Sequence, residues 1–458
     1  MDHTTNTEND IPTPRESAPS APSRRSLLRR AGAVGLAAGA AAMLGGPLVS
    51  EAATRSRTAA ADSSLTLWTF AGTHNRWFKQ RAVEYQKQVN PNFSLTTSVR
   101  PYVAHHQKLL TVLQTGIGAP DLADVEQGLF GSFLHGTVPF APLEGRLNAG
   151  HFLGSLVPSR EALYTWQGHI YGVEHALCPV VLYYRADYFA QYGIKPTDLK
   201  TWDDYIAAGL KLKAHNIYMT PIPVWDVLLR QRGSDLFDAK GNLIADSPLS
   251  IATLQWCVDL AYKHKIAKAP AGLDTGSPAF FIEMAQGTYA SIVGADWYAG
   301  FLEDNVTHLS GKWRAMPLPV WSDDKAKRQT SCYGGTGLCI PVTTGKQDLA
   351  WDFLRFCMLT AQGEVEQYSL VGLYPPFVPA WKDSALQAPV PYFGGQRVGA
   401  LLAELGQTVP PQYQSPYRAT FNNFTAVTTG DGANVLTGRQ APAAFLKYES
   451  ARTRAQMK

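Results

Sequence analysis

The sequence predicts an α/β fold, because one stretch near its start has the pattern strand, helix, strand, helix, strand. Apolar and polar residues alternate in residues 65–70 and again in residues 93–99. After each of these runs, apolar residues recur three and four positions apart, as on one face of a helix. Residues 122–125 form a third short apolar run. Strands joined by helices of this length are usually parallel and right-handed, so we expect all three strands in one sheet.

Turn residues mark the ends of these predicted elements. Asn90 and Pro91 stop the first helix, and Gly116 caps the second, which starts near Ala104. Ligands of open α/β sheets bind beyond the carboxyl ends of the strands. Residues 70–75 and 126–128 follow the first and third strands. They are therefore the first candidates for a binding cleft, although ordinary polar loops would look the same.

The rest of the chain continues to mix helices and strands. Residues 170–175 and 180–185 are two β-rich runs that form either a hairpin or a crossing between lobes. Thr201, with Asp204 three residues later, is typical of a helix N-terminus. Other predicted helices cover residues 130–140, 187–192, 250–261, 279–286 and 347–359, with more from about 360 and in pieces from 391; other predicted strands cover 219–224, 288–293 and 313–320.

Composition indicates a large globular protein that does not bind nucleic acid. The chain has 458 residues, of which 45% are hydrophobic and 17% charged, enough for two or more domains. Residues 1–61 carry seven Lys and Arg against five Asp and Glu, which leaves +2 of the +4 net charge for the remainder. A charge this small predicts no nucleic-acid partner. The chain contains eleven Trp and twenty Tyr, and their amphipathic rings can bind the faces of sugars or form large interfaces.

The N-terminus predicts export. Residues 1–22 are polar and cannot form a core, so we expect disorder there. Arg24 and Arg25 precede a weakly apolar Ala/Gly run over residues 31–49, the pattern of a twin-arginine signal peptide. Cleavage after Ala52 or Ala61 would release the mature chain, and the alternative is a membrane anchor. We expect an extracellular, cell-surface or periplasmic protein.

No metal or cofactor motif is present, and we expect neither. The five cysteines show no CxxC or Cys/His spacing, which predicts buried thiols. A bridge between Cys332 and Cys339 is an open alternative in an exported protein. His105 and His106 are neighbours on a predicted helix, where adjacent side chains point apart, so joint metal binding is not expected. Without a Cys cluster or GxGxxG motif, an exported redox enzyme is disfavoured.

Several motifs in a fixed order resemble one family. The twin-arginine leader and the first five elements are followed by Tyr171-Gly172-Val173, then by residues 182–187 and 294–297. Tyr333-Gly334-Gly335-Thr336-Gly337 precedes residues 350–354. This order resembles the carbohydrate-binding extracellular solute-binding proteins of ABC importers, which include maltose-binding protein. The resemblance covers the mature chain.

The resemblance implies a two-lobed periplasmic-binding-protein-like fold with a ligand cleft between the lobes and a multi-segment hinge. The first lobe would take residues 62–174 and 330–381, and the second residues 175–329 and 382–458. The implied function is capture of a sugar or oligosaccharide and its delivery to the transmembrane permease subunits of an ABC importer. It further implies a monomer without enzymatic activity.

Positions that contact sugar in the family match a set of residues in this chain. In the loop before Leu182 the chain departs from the family, since Ala176 and Cys178 stand where relatives often carry Asp and Gly. The matching residues are Trp68, Phe70, His74, Glu126, Gln127, Glu174, His175, Trp297, Gly334, Gly335 and Thr336.

The residue types suit a sugar, because a pyranose ring needs an aromatic platform and polar groups around its hydroxyls. Trp297 is the candidate platform, or else a core residue. Glu126 and Gln127 would bind hydroxyls, or else cap a helix. Asp296 would pair with the backbone of the second lobe rather than with ligand. Weaker aromatic candidates are Tyr392, Tyr413 and Tyr417.

An exported glycoside hydrolase is the alternative function, because sugar cleavage also uses carboxylates and aromatic platforms. The sequence contains no GxSxG nucleophile elbow and no HExxH metal helix. Two acids facing each other across a cleft remain possible on sequence alone.

Overall fold

The computed structural model describes residues 63–458. The predicted disordered N-terminus and export signal lie outside these residues. Within the described residues, no helix combines the length and the apolar character needed to cross a membrane.

Helices and strands alternate along the first third of the described chain. The elements are β1 (Ser64–Thr69), α1 (Gly72–Gln88), β2 (Ser94–Val99), α2 (Tyr102–Thr115), β3 (Leu122–Glu126), α3 (Gln127–Phe130), α4 (Glu144–Ala149), α5 (Pro158–Glu161), β4 (Thr165–Trp166), β5 (His169–Ile170) and β6 (Val173–Glu174).

The middle of the chain contains short strands between longer helices. Its elements are β7 (Val180–Arg185), α6 (Ala186–Gln191), α7 (Trp202–Lys213), β8 (Thr220–Pro221), α8 (Trp225–Gln231), α9 (Pro248–Tyr262), β9 (Ala267–Lys268), α10 (Pro278–Ala285), β10 (Ser291–Ala295), α11 (Tyr298–Asn305) and β11 (Trp313–Met316).

The last third is one strand followed by helices. These are β12 (Thr336–Cys339), α12 (Gln347–Met358), α13 (Ala361–Val371), α14 (Val398–Gly406), α15 (Arg418–Thr425), α16 (Gly432–Leu436) and α17 (Pro442–Gln456).

The first lobe is built around a five-stranded sheet with the order β2-β1-β3-β12-β6. β1 pairs in parallel with β2 and β3, and Leu67 lies opposite Leu122. β12 is antiparallel to both of its neighbours. Gly116 ends α2 with a left-handed φ of 70°. The βαβαβ pattern and the parallel pairing predicted from the sequence are therefore confirmed.

The second lobe is built around a three-stranded antiparallel sheet with the order β10-β7-β11. β7 is the central strand, with Tyr184 opposite Ser291 and Arg185 opposite Trp313. β6 belongs to the first sheet and β7 to the second, so the two β-rich runs at 170–185 are a crossing and not a hairpin. The chain returns to the first sheet between β11 and β12.

Some predicted elements differ in extent. The helix predicted over residues 130–140 is wrong, because the helical turn is α3, which the Glu126 side chain caps by accepting from the Gly128 amide. The strand predicted over residues 219–224 is reduced to β8, since prolines cannot donate a ladder hydrogen bond. β11 stops at Met316, before Pro317, for the same reason.

A polypeptide segment near the C-terminus touches both lobes. We call residues 410–425, which include α15, the strap. Asp235 in the second lobe anchors it, because its Oδ2 atom accepts from the Tyr413 amide at 3.0 Å and from the Arg418 guanidinium. Arg230 lies 3.2 Å from the other Asp235 oxygen. These charges are buried and paired, as a stable interior requires.

All five cysteines are free and buried, so Cys332 and Cys339 are not bridged in this structure.

Candidate functional site

The five-stranded sheet brings four chain segments together at one end. Because β1 and β3 are parallel neighbours, the residues after Thr69 and Glu126 leave the sheet on the same side. β12 is antiparallel to β3 and pairs Thr336 with Glu126, so the loop before β12 reaches this end too. β6 finishes there with Glu174, opposite Gly337. The predicted binding segments of the first lobe therefore converge.

An aromatic group, which we call the Phe70 cluster, lies at this end of the sheet. Its rings belong to Phe70, His74, Tyr102, His105 and His106. Phe70 is half-buried and packs edge-on against Tyr102 and tilted against His106, each with ring centroids 5.3 Å away. Tyr102 remains 39% exposed, so the cluster presents aromatic surface to solvent.

Glu126 joins this cluster to helix α3. Its Oε2 atom accepts from the Tyr102 hydroxyl at 2.6 Å and from the Gly128 amide at 2.8 Å. Burial raises the pKa of Glu126, although these donors favour its ionised form. The Glu126 amide donates to Nε2 of His106 at 3.0 Å, and burial lowers the pKa of His106 to about 4. A neutral His106 ring is the form that accepts through Nε2.

Gln127 is bonded to two other parts of the protein. Its amide donates to the Gly335 carbonyl at 3.0 Å. Its side-chain oxygen accepts from the Gln412 amide group of the strap at 2.5 Å, and its carbonyl accepts from Gln414 at 3.1 Å. Gln127 therefore links the β12 loop to the strap.

The Gly334-Gly335 loop is held by a buried ion pair. Arg160 Nη2 lies 3.2 Å from Glu174 Oε2 and donates to the Gly334 carbonyl at 2.9 Å. Glu174 Oε1 accepts from the Thr336 amide at 2.7 Å. Burial raises the pKa of Glu174 to about 8, and the nearby guanidinium opposes that rise. These contacts join the loop to β6 and α5.

Gly335 has no room for a side chain. Its φ is +146°, and a Cβ atom would lie 2.3 Å from Arg160 Nη2 and 2.6 Å from Glu174 Oε2. Only glycine allows the backbone to approach the ion pair this closely.

Trp297 faces this loop from the second lobe. It is half-buried, and its indole Nε1 donates to the Tyr333 carbonyl at 2.8 Å. Its ring contacts the rings of Tyr333 and Phe301, with centroids 5.1 and 5.4 Å away. Phe301 is 40% exposed. Because the polar edge of Trp297 is bonded to the protein, its remaining open surface is aromatic.

Other predicted site residues are engaged inside the protein. One face of Trp68 is covered by Arg100, whose guanidinium lies 3.9 Å from the ring centroid. His74 is largely buried beside Asp124, and His175 is completely buried. In this structure His175 therefore presents no surface to a ligand in the cleft.

Sequence reasoning missed Tyr102, Arg160 and Gln412. Tyr102 could have been found, since it opens the helix that directly follows β2. Of the weaker aromatic candidates, Tyr392 is buried and its hydroxyl donates to the Val306 carbonyl at 3.0 Å.

Comparison with known proteins gives consistent similarities. A family model described as bacterial extracellular solute-binding protein matches residues 71–364. An arabinooligosaccharide-binding protein from Halalkalibacterium halodurans is 32% identical over 332 residues, 71% of this chain and 74% of that protein. A second arabinooligosaccharide-binding protein, from Bacillus subtilis, is 30% identical over 368 residues, 77% of this chain and 83% of that protein. A crystal structure of an extracellular solute-binding protein of family 1 superposes with a TM-score of 0.72 at 22% identity, over 85% of this chain and 99% of that one.

Proposed function

Because this chain belongs to the bacterial extracellular solute-binding protein family, we propose that it captures a sugar or oligosaccharide outside the membrane and delivers it to the permease of an ABC importer. The two-lobed fold is suited to this task, since ligand contacts from both lobes favour a closed state that a permease can recognise. The lobes would comprise residues 62–174 with 330–381, and 175–329 with 382–458.

One observation carries the proposal: the loop before β12 connects polar and aromatic groups of the two lobes. At one end, Gly335 accepts from the Gln127 amide; at the other, the Tyr333 carbonyl accepts from Trp297. Tyr102 and Phe301 add exposed rings near these two ends. Aromatic faces next to amide and carboxylate groups are what a sugar ring with its hydroxyl rim requires.

The ligand we favour is an oligosaccharide that contains arabinose. Two relatives that are at least 30% identical carry the name arabinooligosaccharide-binding protein, and each match covers most of both chains. Sugar stacking on Trp297 and on Tyr102, with hydroxyl contacts from Glu126, is the arrangement we propose.

Export by the twin-arginine route and action as a monomer belong to the same proposal. The Arg24-Arg25 motif and the apolar run after it support that route. Action outside the cytoplasmic membrane agrees with membership of an extracellular family.

The geometry favours binding over hydrolysis. A glycoside hydrolase needs two acids free to serve as acid and nucleophile or base. At this site Glu126 accepts from Tyr102 and Gly128, and Glu174 accepts from Thr336 beside Arg160. Glu174 is buried and both of its oxygens have partners, so it is not free to serve as a second catalytic acid beside Glu126.

Calorimetric titration of the full chain with arabino-oligosaccharides, maltose and lactose tests the function. We expect saturable one-to-one binding, tightest for the arabino-oligosaccharides, and no release of reducing ends from the bound sugar. Release of split products without saturable binding would support the hydrolase instead. If maltose binds more tightly than the arabino-oligosaccharides, the proposed transport function stands but the proposed arabinose-containing ligand is wrong.

A further inference from the structure

Three side chains from distant parts of the chain meet at one buried point. His74 lies on α1, Asp124 on β3, and His175 directly after β6. Each offers one ligand atom, and these atoms all lie within 4.8 Å of one another. Two imidazoles and one carboxylate are a donor set that binds Zn²⁺ and neighbouring divalent transition-metal ions.

Hydrogen bonds within the chain do not satisfy all of these atoms. His74 Nδ1 lies 3.1 Å from Asp124 Oδ2, a normal hydrogen bond. Asp124 Oδ1 and His175 Nε2 form an ion pair at 3.3 Å, longer than a normal hydrogen bond, and neither atom has a hydrogen-bond partner outside this pair. Both side chains are completely buried. Buried polar atoms without partners are costly, so this pair points to a ligand that bridges them.

We propose that His74, Asp124 and His175 bind a divalent transition-metal ion, with Zn²⁺ the best match to the donor set. Nδ1 of His74, a carboxylate oxygen of Asp124 and Nε2 of His175 would be the three protein ligands. The His74 side chain retains 9% exposure, so the ion and its fourth ligand enter from that side. The ion would stabilise the first lobe by tying α1, β3 and the crossing segment together.

The residues around His175 suit a metal ligand. The Gln367 amide lies 2.9 Å from His175 Nδ1, and its oxygen has no partner in the present orientation. A half-turn of that amide would let Nδ1–H donate to the oxygen and leave Nε2 free for the ion. Trp77 and Phe78 flank the ring, with centroids 6.0 and 6.2 Å away, and shield that side from water.

The sequence contains no metal motif for this site, because its members are about fifty residues apart and come from three elements. The alternative is a hydrogen-bonded His–Asp–His group without an ion. The two alternatives differ in metal content and in the response of stability to metal.

The test uses the full chain, produced without a metal-affinity tag and measured without sugar. After removal of metal by a chelator, the chain receives Zn²⁺ or Co²⁺ and is desalted, and its metal content is measured by mass spectrometry. We expect about one ion per chain, Co²⁺ absorption bands in the visible range that Zn²⁺ removes, and a melting temperature that rises when Zn²⁺ is added.

Variants locate the ion. His74→Gln, the least buried position, and Asp124→Asn should lose the ion and the Zn²⁺-dependent rise in melting temperature. His308→Gln, at an exposed histidine, should keep both. Circular dichroism verifies that each variant is folded.

The proposal is overturned if the wild-type chain holds no more metal than a folded His74→Gln variant and its melting temperature does not change when Zn²⁺ is added. Because this test uses no sugar, its outcome is independent of the transport function. A chain that binds the ion but no sugar would reject the proposed function alone.

Discussion

The Oδ2 atom of Asp296 accepts a hydrogen bond of 2.9 Å from the backbone amide of Tyr374. Asp296 follows β10 of the second lobe, whereas Tyr374 follows α13, whose Gly363 carbonyl accepts from Trp77 of the first lobe. The other Asp296 oxygen accepts from the Trp297 amide at 2.8 Å. The carboxylate therefore accepts from a backbone amide of the second lobe, as expected from the sequence. It also accepts from a backbone amide of the segment that follows α13.

Stability should depend on the ionisation of Asp296. Burial raises the pKa of Asp296 from 3.8 to about 6. Because the folded pKa is the higher one, the stabilising contribution is complete below about pH 3.8 and is lost as the pH rises through about 6. The total change is roughly 3 kcal/mol. Asp296→Asn should remove this part of the pH dependence, measured by urea unfolding from pH 4 to 7. If the free energy of unfolding changes with pH in the same way in the variant and in the wild type, the prediction is wrong.

Replacing Trp297 with alanine should weaken sugar binding by about one to three kcal/mol, the value of an aromatic contact and its buried area. Trp297→Phe should lose less, because it keeps a ring and gives up only the bond to Tyr333. Calorimetry gives the dissociation constants, and Trp351→Ala on α12 is the control. If Trp297→Ala binds as tightly as the control, Trp297 is not part of the site.

Gly335→Ala should destabilise the fold by about 2–4 kcal/mol, because the added carbon would overlap the Arg160 guanidinium at a φ that favours glycine. Gly345→Ala is the matched control, since no atom lies within 4 Å of its added carbon. Denaturant midpoints measure both. Equal midpoints would show that the Arg160–Glu174 pair moves aside without cost.

Gln412→Ala should weaken ligand binding about fivefold, because the strap loses its side-chain bond to Gln127, a contribution of about 1 kcal/mol. Solution scattering should also show a larger radius of gyration for the ligand-bound variant. Gln255→Ala on α9 removes a similar amide bond, to Asp259, that lies outside the strap. If both variants bind alike, the bond between Gln412 and Gln127 does not contribute to ligand binding.

Much of the first lobe could be predicted because its signals are local. Alternation defines β1 and β2, Gly116 defines the end of α2, and the Thr201–Asp204 capping box defines the start of α7. Parallel pairing then implies that residues after β1 and β3 meet at one end of the sheet.

The remaining contacts of the site depend on pairs that are far apart in the chain. Arg160 meets Gly334 and Gln127 meets Gln412, and periodicity carries no information about either pair. The helix predicted over residues 130–140 is misplaced for a local reason, because α3 begins at Gln127, directly after its Glu126 cap, and ends at Phe130.

The five free cysteines have a practical consequence. All are buried, and burial raises the pKa of the Cys178 and Cys257 thiols, which keeps them protonated and shielded from reagents. A cysteine introduced on the surface of either lobe would therefore be the sole target of a maleimide dye, without prior removal of the native thiols. Fluorescent pairs on the two lobes could then follow each capture and release event in single molecules.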